Sequence, residues 1–424
     1  MKTVDLLVIH AHQLVTCAND SLPKRGEQMC DVGIIDNGAI AIHEGQIVAI
    51  GKTSDIQAKY QSDTVIDASG KSVIPGLVDC HTHTVFAGNR LDEFEMRIQG
   101  KSYMDIMNAG GGIRSTVKAT REASLQDLID LAQDRLNTML QLGITTVEIK
   151  TGYGLSDDSE QKMMQAILDL AENNNMTIVP TYLGAHAIPA EYDSTDNYLT
   201  SLYEGSLRGT QQDYKEASLV DHPMFVDIFV EENVFTVDNM RDLFTAAKER
   251  GLYLKAHVDE FVNLGAVPVA VDMGATSVDH LDVTPESELE YLAQSDTVGV
   301  MLPAVNFNLG SSHFANARHL IDSNGILALS TDYNPGSAPT MSLPMVMAIA
   351  CRYQKLLPSE ALNASTINAA TALKLEQKVG SLEVGKQGDF LILNTDDYRT
   401  MVYEFGHNLV EQVIIKGEIV WNAS

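Results

Sequence analysis

Between residues 73 and 376 the sequence alternates between short apolar runs and longer amphipathic stretches, and this alternation constrains the fold more than any other feature. Short apolar runs bounded by polar loops are typical of buried strands, and strands that alternate with helices build a parallel sheet. There are eight such runs, at residues 77–80, 144–149, 177–183, 225–230, 252–256, 276–279, 298–302 and 326–330. Eight repeats favour closure into a (β/α)8 TIM barrel of the α/β class, and a doubly wound open sheet is the alternative.

Two of the connecting stretches carry clear helix boundaries. Ser124 has the pattern of an N-cap, with Asp127 three residues later, and Gly143 ends the apolar stripe that follows. Thr236 and Gly251 bound a second helix in the same way. These boundaries predict helices between the first and second runs and between the fourth and fifth, as a barrel requires.

Both ends of the chain differ from its middle, because they contain short strand-like runs without helical stretches. At 424 residues the chain is longer than a typical single domain. Neither end is long enough to bury a convincing core alone. We therefore predict a small β-sandwich domain built from both termini, residues 1–72 and 377–424, with a barrel domain inserted at residues 73–376.

The charge balance excludes several classes of partner. The chain has 57 acidic and 29 basic residues and a formal net charge of −28. Such a surface repels nucleic-acid phosphates and anionic lipids, so we expect neither as a partner.

The four cysteines include no C-x-x-C pair, and the sequence starts without the apolar core of a signal peptide. No apolar stretch approaches the roughly 18 residues of a membrane span, and the expected location is the cytoplasm.

His81 and His83 directly follow the first apolar run and begin a series of polar residues at the ends of the runs. Side chains alternate along a strand, so both imidazoles point to the same side, and neutral imidazoles are common metal ligands. Later runs are followed by His186, Glu231, Glu232, His257, Glu260, His280 and Asp332. In a (β/α)8 barrel these ends meet at one rim, and the sequence therefore predicts a metal site there.

Several longer motifs accompany these residues. They are PGLVDCHTH at 75–83, FAGNR at 86–90, EFEMR at 93–97, GGGI at 110–113, EIKTGYG at 148–154, LGAH at 183–186, AHVDEF at 256–261 and STDYNPGSAPT at 330–340. With these motifs the chain resembles the amidohydrolase superfamily, and within it the imidazolonepropionase family, over essentially its whole length. The segment GKQGD at 385–389 is similar to the superfamily's return into the β-sandwich, with Gly388 where alanine is commoner.

The resemblance implies one metal ion per subunit, held by His81, His83, His257 and Asp332. Superfamily members with two metals bridge them with a lysine on strand four, but here that strand ends in Glu231 and Glu232. Three nitrogen ligands and one oxygen ligand favour Zn²⁺, with Fe³⁺ as the alternative. The family also implies a homodimer.

The activity that the resemblance implies is hydrolysis of the ring amide C–N bond of 4-imidazolone-5-propanoate to N-formimidoyl-L-glutamate, a step of histidine degradation. A metal ion lowers the pKa of bound water to about 7, which supplies hydroxide at neutral pH. His280 would assist as base or electrostatic stabiliser, and Glu260 would carry a proton to the leaving ring nitrogen. Which of the two takes the first proton is left open.

The substrate's propionate needs a cation, and Arg90 is the natural bidentate partner. Further substrate contacts are expected from Tyr103, Tyr153, His186, Glu260, Asn334, Gly336 and Ser337. Two interpretations of Lys150 are open: its ammonium group contacts the substrate, or the aliphatic part of its side chain packs at the barrel mouth. Residues 110–112 fit either a flexible lid or anion-binding turn, or a tight connection.

Two other functions remain open at this stage. A deaminase of a cytosine-like or guanine-like base would share the HxxE pattern of His257 and Glu260 and the aspartate Asp332, but would not need Arg90. A non-catalytic barrel would be expected to have lost metal ligands, whereas all four are present here.

Overall fold

The computed structural model describes residues 1–101, 105–106, 110–217 and 222–423. The strands are β1 Lys2–Thr3, β2 Leu6–Val15, β3 Ile34–His43, β4 Gln46–Lys52, β5 Tyr60–Gln61, β6 Val65–Asp67, β7 Ser72–Pro75, β8 Leu77–Asp79, β9 Ile144–Lys150, β10 Thr177–Ala185, β11 Phe225–Val230, β12 Tyr253–Val258, β13 Ser277–His280, β14 Val298–Met301, β15 Leu327–Leu329, β16 Phe390–Leu393, β17 Val410–Ile415 and β18 Glu418–Asn422.

The helices follow the same order. They are α1 Thr53–Gln57, α2 Leu91–Ile98, α3 Ile113–Glu122, α4 Leu125–Gln141, α5 Asp157–Asn173, α6 Thr195–Glu204, α7 Ser206–Glu216, α8 Val237–Glu249, α9 Ala266–Asp272, α10 Glu286–Ala293, α11 Pro303–Asn308, α12 Ala317–Asp322, α13 Leu343–Tyr353, α14 Pro358–Ala364, α15 Ile367–Thr371 and α16 Thr400–Tyr403, with a 3₁₀ helix at Gly26–Cys30. Within the described ranges, no helix is both long enough and apolar enough to cross a bilayer.

Strands β8 to β15 form the predicted barrel. They lie side by side in sequence order and every neighbouring pair is parallel. Backbone hydrogen bonds just beyond the last and first strands close the cylinder: Asp332 N donates to His81 O at 3.1 Å, and His83 N donates to Tyr333 O at 2.9 Å. The closed (β/α)8 barrel is confirmed, and the open sheet is wrong. This closure also brings two of the expected metal-binding segments together.

The structure contains helices that begin at both N-termini predicted from the sequence. Ser124 caps α4 in a reciprocal capping box with Asp127, and Thr236 caps α8 in the same way. The buried residues of α4 are Leu128, Ala132, Leu136 and Met139, which recur at helical spacing and pack into the main core. The amphipathic pattern therefore places this helix against the outside of the barrel.

Strands from both ends of the chain form a second sheet, with the order β18-β17-β16-β7-β2-β3-β4 and β6 beside β2. The two termini join where β16 pairs antiparallel with β7, with Leu391 opposite Ile74. Buried side chains from six of these strands share one apolar cluster, which forms a core of this β domain. Gly76 separates this sheet from the barrel, and a Cβ there would lie 2.2 Å from Thr145 Oγ1, which only glycine avoids. The predicted division into residues 1–72 with 377–424 and residues 73–376 stays a proposal, and β7 extends the terminal sheet to Pro75, so the junction lies at Gly76.

Candidate metal centre and active site

A cavity of about 620 Å³ opens at the C-terminal ends of the barrel strands. Its walls include His83, Arg90, Glu93, Arg97, Arg114, Tyr153, His186, Phe229, His257, Glu260, His280, Asp332, Asn334, Gly336 and Ser337. Every site residue predicted from the sequence lines it, with two exceptions. His81 lies just beneath it, fully buried, and Tyr103 lies outside the described residues.

The four expected metal ligands converge at the floor of this cavity. The nitrogen atoms that His81, His83 and His257 can offer lie within 4.8 Å of one another. Asp332 Oδ1 lies 3.4 Å from His81 Nε2 and 3.3 Å from His83 Nε2. Burial alone would raise the pKa of Asp332, but His81 and His83 hold it well below its usual value, so the carboxylate is an anion.

The unsatisfied atoms at this point fit a metal ion. His81 Nε2, His257 Nε2 and Asp332 Oδ1 are buried and have no hydrogen-bond partner among the described residues. Buried polar atoms are normally paired, and an unpaired group at a site needs a reason. Imidazole nitrogens with one carboxylate oxygen are a donor set that suits Zn²⁺ and iron. These residues therefore fit the metal that the sequence implies.

Glu260 and His280 lie together beside these ligands. Glu260 Oε2 is 3.8 Å from His280 Nε2, and Asp282 Oδ2 is 3.8 Å from His280 Nδ1. Burial raises the pKa of Glu260 to about 7, against the opposing effect of His280. Burial would lower the pKa of His280, but the carboxylates of Glu260 and Asp282 raise it to about 10. A carboxyl group whose pKa lies near 7, next to a cationic imidazole, can accept a proton and return it at neutral pH.

Arg90 and Arg97 supply positive charge to the wall of the cavity that faces the loop after β15. Arg90 Nε donates to Thr116 Oγ1 at 2.9 Å, which directs its guanidinium toward Gly336. A Cβ at position 336 would lie 2.3 Å from Arg90 Nη1, so glycine is needed for this approach. Arg97 Nη2 donates to Gly336 O at 3.0 Å. The sequence motif contained Arg97, but its spacing did not distinguish it from a surface arginine.

Asn334 organises the loop that follows ligand Asp332. Its Nδ2 donates to Asp332 O at 2.7 Å and to Ser337 Oγ at 2.9 Å. Its Oδ1 accepts from the backbone N of Gly336 and of Ser337, both at 2.8 Å. The amide therefore fixes the loop, and Gly336 and Ser337 line the cavity next to it.

Tyr153 lies on a turn whose backbone is held by a buried carboxylate that the sequence analysis missed. Glu160 Oε2 accepts from Gly152 N at 3.1 Å, and Oε1 accepts from Gly154 N and Leu155 N, both at 2.8 Å. Glu231, which directly follows β11, holds the loop after β12 in a similar way, since it accepts from Phe261 N at 2.9 Å. Both glutamates bond to backbone rather than lining the cavity, and only three-dimensional proximity reveals this.

Lys150 does not lie at the barrel mouth, contrary to both interpretations of it. It is fully buried inside the barrel, where its Nζ donates to Glu148 Oε1 at 3.0 Å and to Asp227 Oδ2 at 2.7 Å. Burial would lower the pKa of Lys150, but those two carboxylates raise it, so the ammonium is charged.

The glycine turn at residues 110–112 is held by hydrogen bonds from its backbone N–H groups to other residues of the protein. Gly112 N donates to Glu93 Oε1 at 2.8 Å, and Gly111 N donates to Ile106 O at 3.0 Å. With its amide already bound to a carboxylate, Gly112 does not present a free anion-binding turn. The tight connection is the better description of this segment.

Taken together, the closed parallel barrel, the cluster of three histidines and one aspartate, and the adjacent acid–base pair define a metal-dependent hydrolase. The sequence model of the amidohydrolase family matches residues 72–420. Among solved structures, an adenosine deaminase from Xanthomonas campestris with bound zinc has a TM-score of 0.73 at 18% identity, over 99% of this chain and 93% of its own. At that identity the likeness concerns the fold alone.

Curated relatives narrow the class further. An imidazolonepropionase of Chloroflexus aggregans is 48% identical over 99% of both chains. An imidazolonepropionase of Herpetosiphon aurantiacus is 46% identical over 99% of this chain and 98% of its own. This chain belongs to the amidohydrolase family and, within it, to the imidazolonepropionases.

Proposed function

We propose that this chain hydrolyses the ring amide C–N bond of 4-imidazolone-5-propanoate and releases N-formimidoyl-L-glutamate. The observation that carries the proposal is the convergence of His81, His83, His257 and Asp332 at the floor of a cavity whose wall includes Arg90. A compact substrate with one carboxylate can then reach a metal and a guanidinium together. The chemistry fits a small, anionic cyclic amide.

One metal ion per subunit would be held by these four residues. Zn²⁺ is favoured by the donor set, with Fe³⁺ as the alternative. Such an ion supplies two things when bound: a lower pKa for water and polarisation of a carbonyl oxygen. The end of β11 offers Glu231, whose carboxylate is bound to backbone amides, and no lysine that could bridge to a second ion.

The protein's own residues would bind and orient the substrate. The Arg90 guanidinium pairs with the propionate, while Tyr153 and His186 face the ring and Gly336 and Ser337 contact the carboxylate side. Glu260 takes a proton from the attacking water and returns it to the leaving ring nitrogen. His280, held cationic by Glu260 and Asp282, stabilises negative charge that develops on the carbonyl oxygen.

Incubation of the purified protein with 4-imidazolone-5-propanoate tests this function. Loss of the imidazolone absorbance should accompany formation of N-formimidoyl-L-glutamate without release of ammonia. Parallel incubations with guanine and cytosine test the deaminase alternative, for which ammonia release without imidazolone turnover is the diagnostic result. Glu260→Gln should abolish turnover and leave metal content unchanged, and an active Glu260→Gln enzyme would remove Glu260 from this role.

We also propose a homodimer located in the cytoplasm. The dimer is supported by the family resemblance, and the location by four cysteines that are all free, Cys17 and Cys80 being buried. Sedimentation of the purified protein tests the first proposal, and fractionation of the producing cells tests the second.

A further inference from the structure

Five charged side chains fill the inside of the barrel directly below the metal ligands. We call them the ionic layer: Glu148 and Lys150 on β9, Asp227 on β11, Lys255 on β12 and Asp279 on β13. All five are fully buried. Charges are rarely placed in a protein interior, because the loss of hydration is unfavourable unless partners offset it. Nonpolar side chains usually fill the interior of such barrels, so this layer calls for a reason.

The two aspartates of the ionic layer lie next to Nδ1 of two of the histidines that would hold the metal. Asp279 Oδ2 lies 2.6 Å from His81 Nδ1, and Asp227 Oδ2 lies 3.0 Å from His257 Nδ1. A histidine can offer Nε2 to a metal only when its proton is on Nδ1. The hydrogen bond to Asp279 fixes that tautomer and the ring plane of His81, and Asp227 places its carboxylate at ion-pair distance from Nδ1 of His257.

The two lysines hold these contacts in place from below. Lys150 Nζ donates to the same Asp227 oxygen that faces His257, at 2.7 Å. Lys255 Nζ donates at 2.7 Å to the carbonyl oxygen of Cys80, the residue before His81. Glu148 joins the lysines, with one oxygen 3.0 Å from Lys150 Nζ and the other 3.0 Å from Lys255 Nζ. Asp279 Oδ2 lies 3.9 Å from each ammonium.

We propose that Lys150 and Lys255 are positioning residues for the metal site: joined by Glu148, they hold Asp227, Asp279 and the backbone before His81 so that both histidines present Nε2 to the metal. The layer contains three carboxylates and two ammonium groups, and each lysine supplies the counter-charge that its carboxylates need in the interior. This inference rests on the ligand set of the proposed function and deepens it, because it concerns metal affinity rather than substrate.

The test measures metal affinity by competition with a chelator, together with the melting temperature of the metal-free protein. Lys255→Met and Lys150→Met are compared with Lys24→Met, a fully buried lysine that donates to the Asp31 carbonyl oxygen in the N-terminal region. Loss of outer contacts to metal-binding histidines weakens metal affinity by roughly 10–100-fold. We expect that loss in the first two variants and a change below about twofold in Lys24→Met, although all three lose thermal stability.

Two further variants keep the test decisive if a lysine variant does not fold. Ser277→Ala removes the 2.6 Å hydrogen bond from Ser277 Oγ to Asp279 Oδ1 without changing any charge, and should weaken metal affinity by a few-fold. Lys255→Met combined with Glu148→Gln removes one charge of each sign and should recover part of the affinity lost in Lys255→Met. The absorption of the Co²⁺-loaded protein should change in Lys255→Met, because the ligand geometry changes.

The outcomes separate this inference from the proposed function. A wild-type protein that binds no metal would overturn the proposed function itself. A wild-type protein that binds metal, with unchanged affinity in Lys255→Met, Lys150→Met and Ser277→Ala, would overturn only the positioning role. An equal loss of affinity in Lys24→Met would also overturn it, because the effect would then be general destabilisation.

Discussion

His186 donates a hydrogen bond from Nδ1 to the carbonyl oxygen of Gly152 at 3.0 Å, and this contact fixes how the ring faces the substrate cavity. A carbonyl oxygen can only accept, so Nδ1 carries the proton. Burial, with a contribution from His83, lowers the pKa of His186 to about 3, and the ring is neutral at pH 7. Its Nε2 is therefore an acceptor, which suits a ring N–H of the proposed substrate.

This relationship predicts different effects of two substitutions at position 186. His186→Leu removes both nitrogens, while the side-chain amide of His186→Asn can still donate to Gly152 but has no atom in the place of Nε2. If Nε2 accepts from the substrate, both variants should lose about 10–100-fold in kcat/KM, since an unpaired polar group costs about 1–3 kcal/mol. Full activity in His186→Asn would mean that the residue only positions the turn.

Glu160→Gln should disturb the turn that carries Tyr153. An amide has one acceptor oxygen instead of two, and its NH₂ group would face a backbone N–H. We expect a loss of about 2 kcal/mol in the free energy of unfolding and a raised KM, because three backbone amides depend on this carboxylate. Asp158→Asn, an exposed change on the same helix, is the control. Equal KM values in the two variants would contradict the prediction.

Gly336→Ala tests the approach of Arg90 to the loop after β15. The new Cβ would lie 2.3 Å from Arg90 Nη1, the far end of a flexible side chain. The guanidinium can move away, so stability should change by less than about 1 kcal/mol. KM should rise about tenfold or more, because the bidentate geometry for the carboxylate is lost. Stopped-flow kinetics and thermal melts of the same preparation measure both quantities. An unchanged KM would place the carboxylate elsewhere.

Much of the fold could be predicted because local signals and tertiary contacts agree. Each of the eight apolar runs is a strand of the barrel, and the cap at Ser124 starts a helix where the sequence indicated. A run that is apolar over its whole length can be buried on both faces only between an outer layer of helices and a filled interior. That requirement leaves few architectures for eight repeats.

The supporting structure of the site could not be predicted in the same way. Asp227 is an isolated charge within an apolar run and Lys150 directly follows another run, and nothing in one sequence says that the two side chains meet inside the barrel. The left-handed backbone at His280, with φ of 82°, and at Asp332, with φ of 51°, is equally hidden. Such conformations cost about 1–3 kcal/mol and persist only where the surroundings impose them. Tertiary contacts determine these features.

Removal of the metal should abolish activity and lower stability together. The chelated protein keeps three imidazoles and the Asp332 anion crowded at one point, with His81 Nε2, His257 Nε2 and Asp332 Oδ1 unpaired. A ligand present at 1,000 times its dissociation constant stabilises the folded state by about 4 kcal/mol, and this contribution disappears on chelation. We therefore expect a melting temperature several degrees lower, which Zn²⁺ or iron restores. Glu260→Gln should show the same shift while remaining inactive, which separates binding from chemistry. A chelated enzyme with full activity would contradict a metal-dependent reaction, because the residues of the cavity would then activate the water and polarise the carbonyl without the metal.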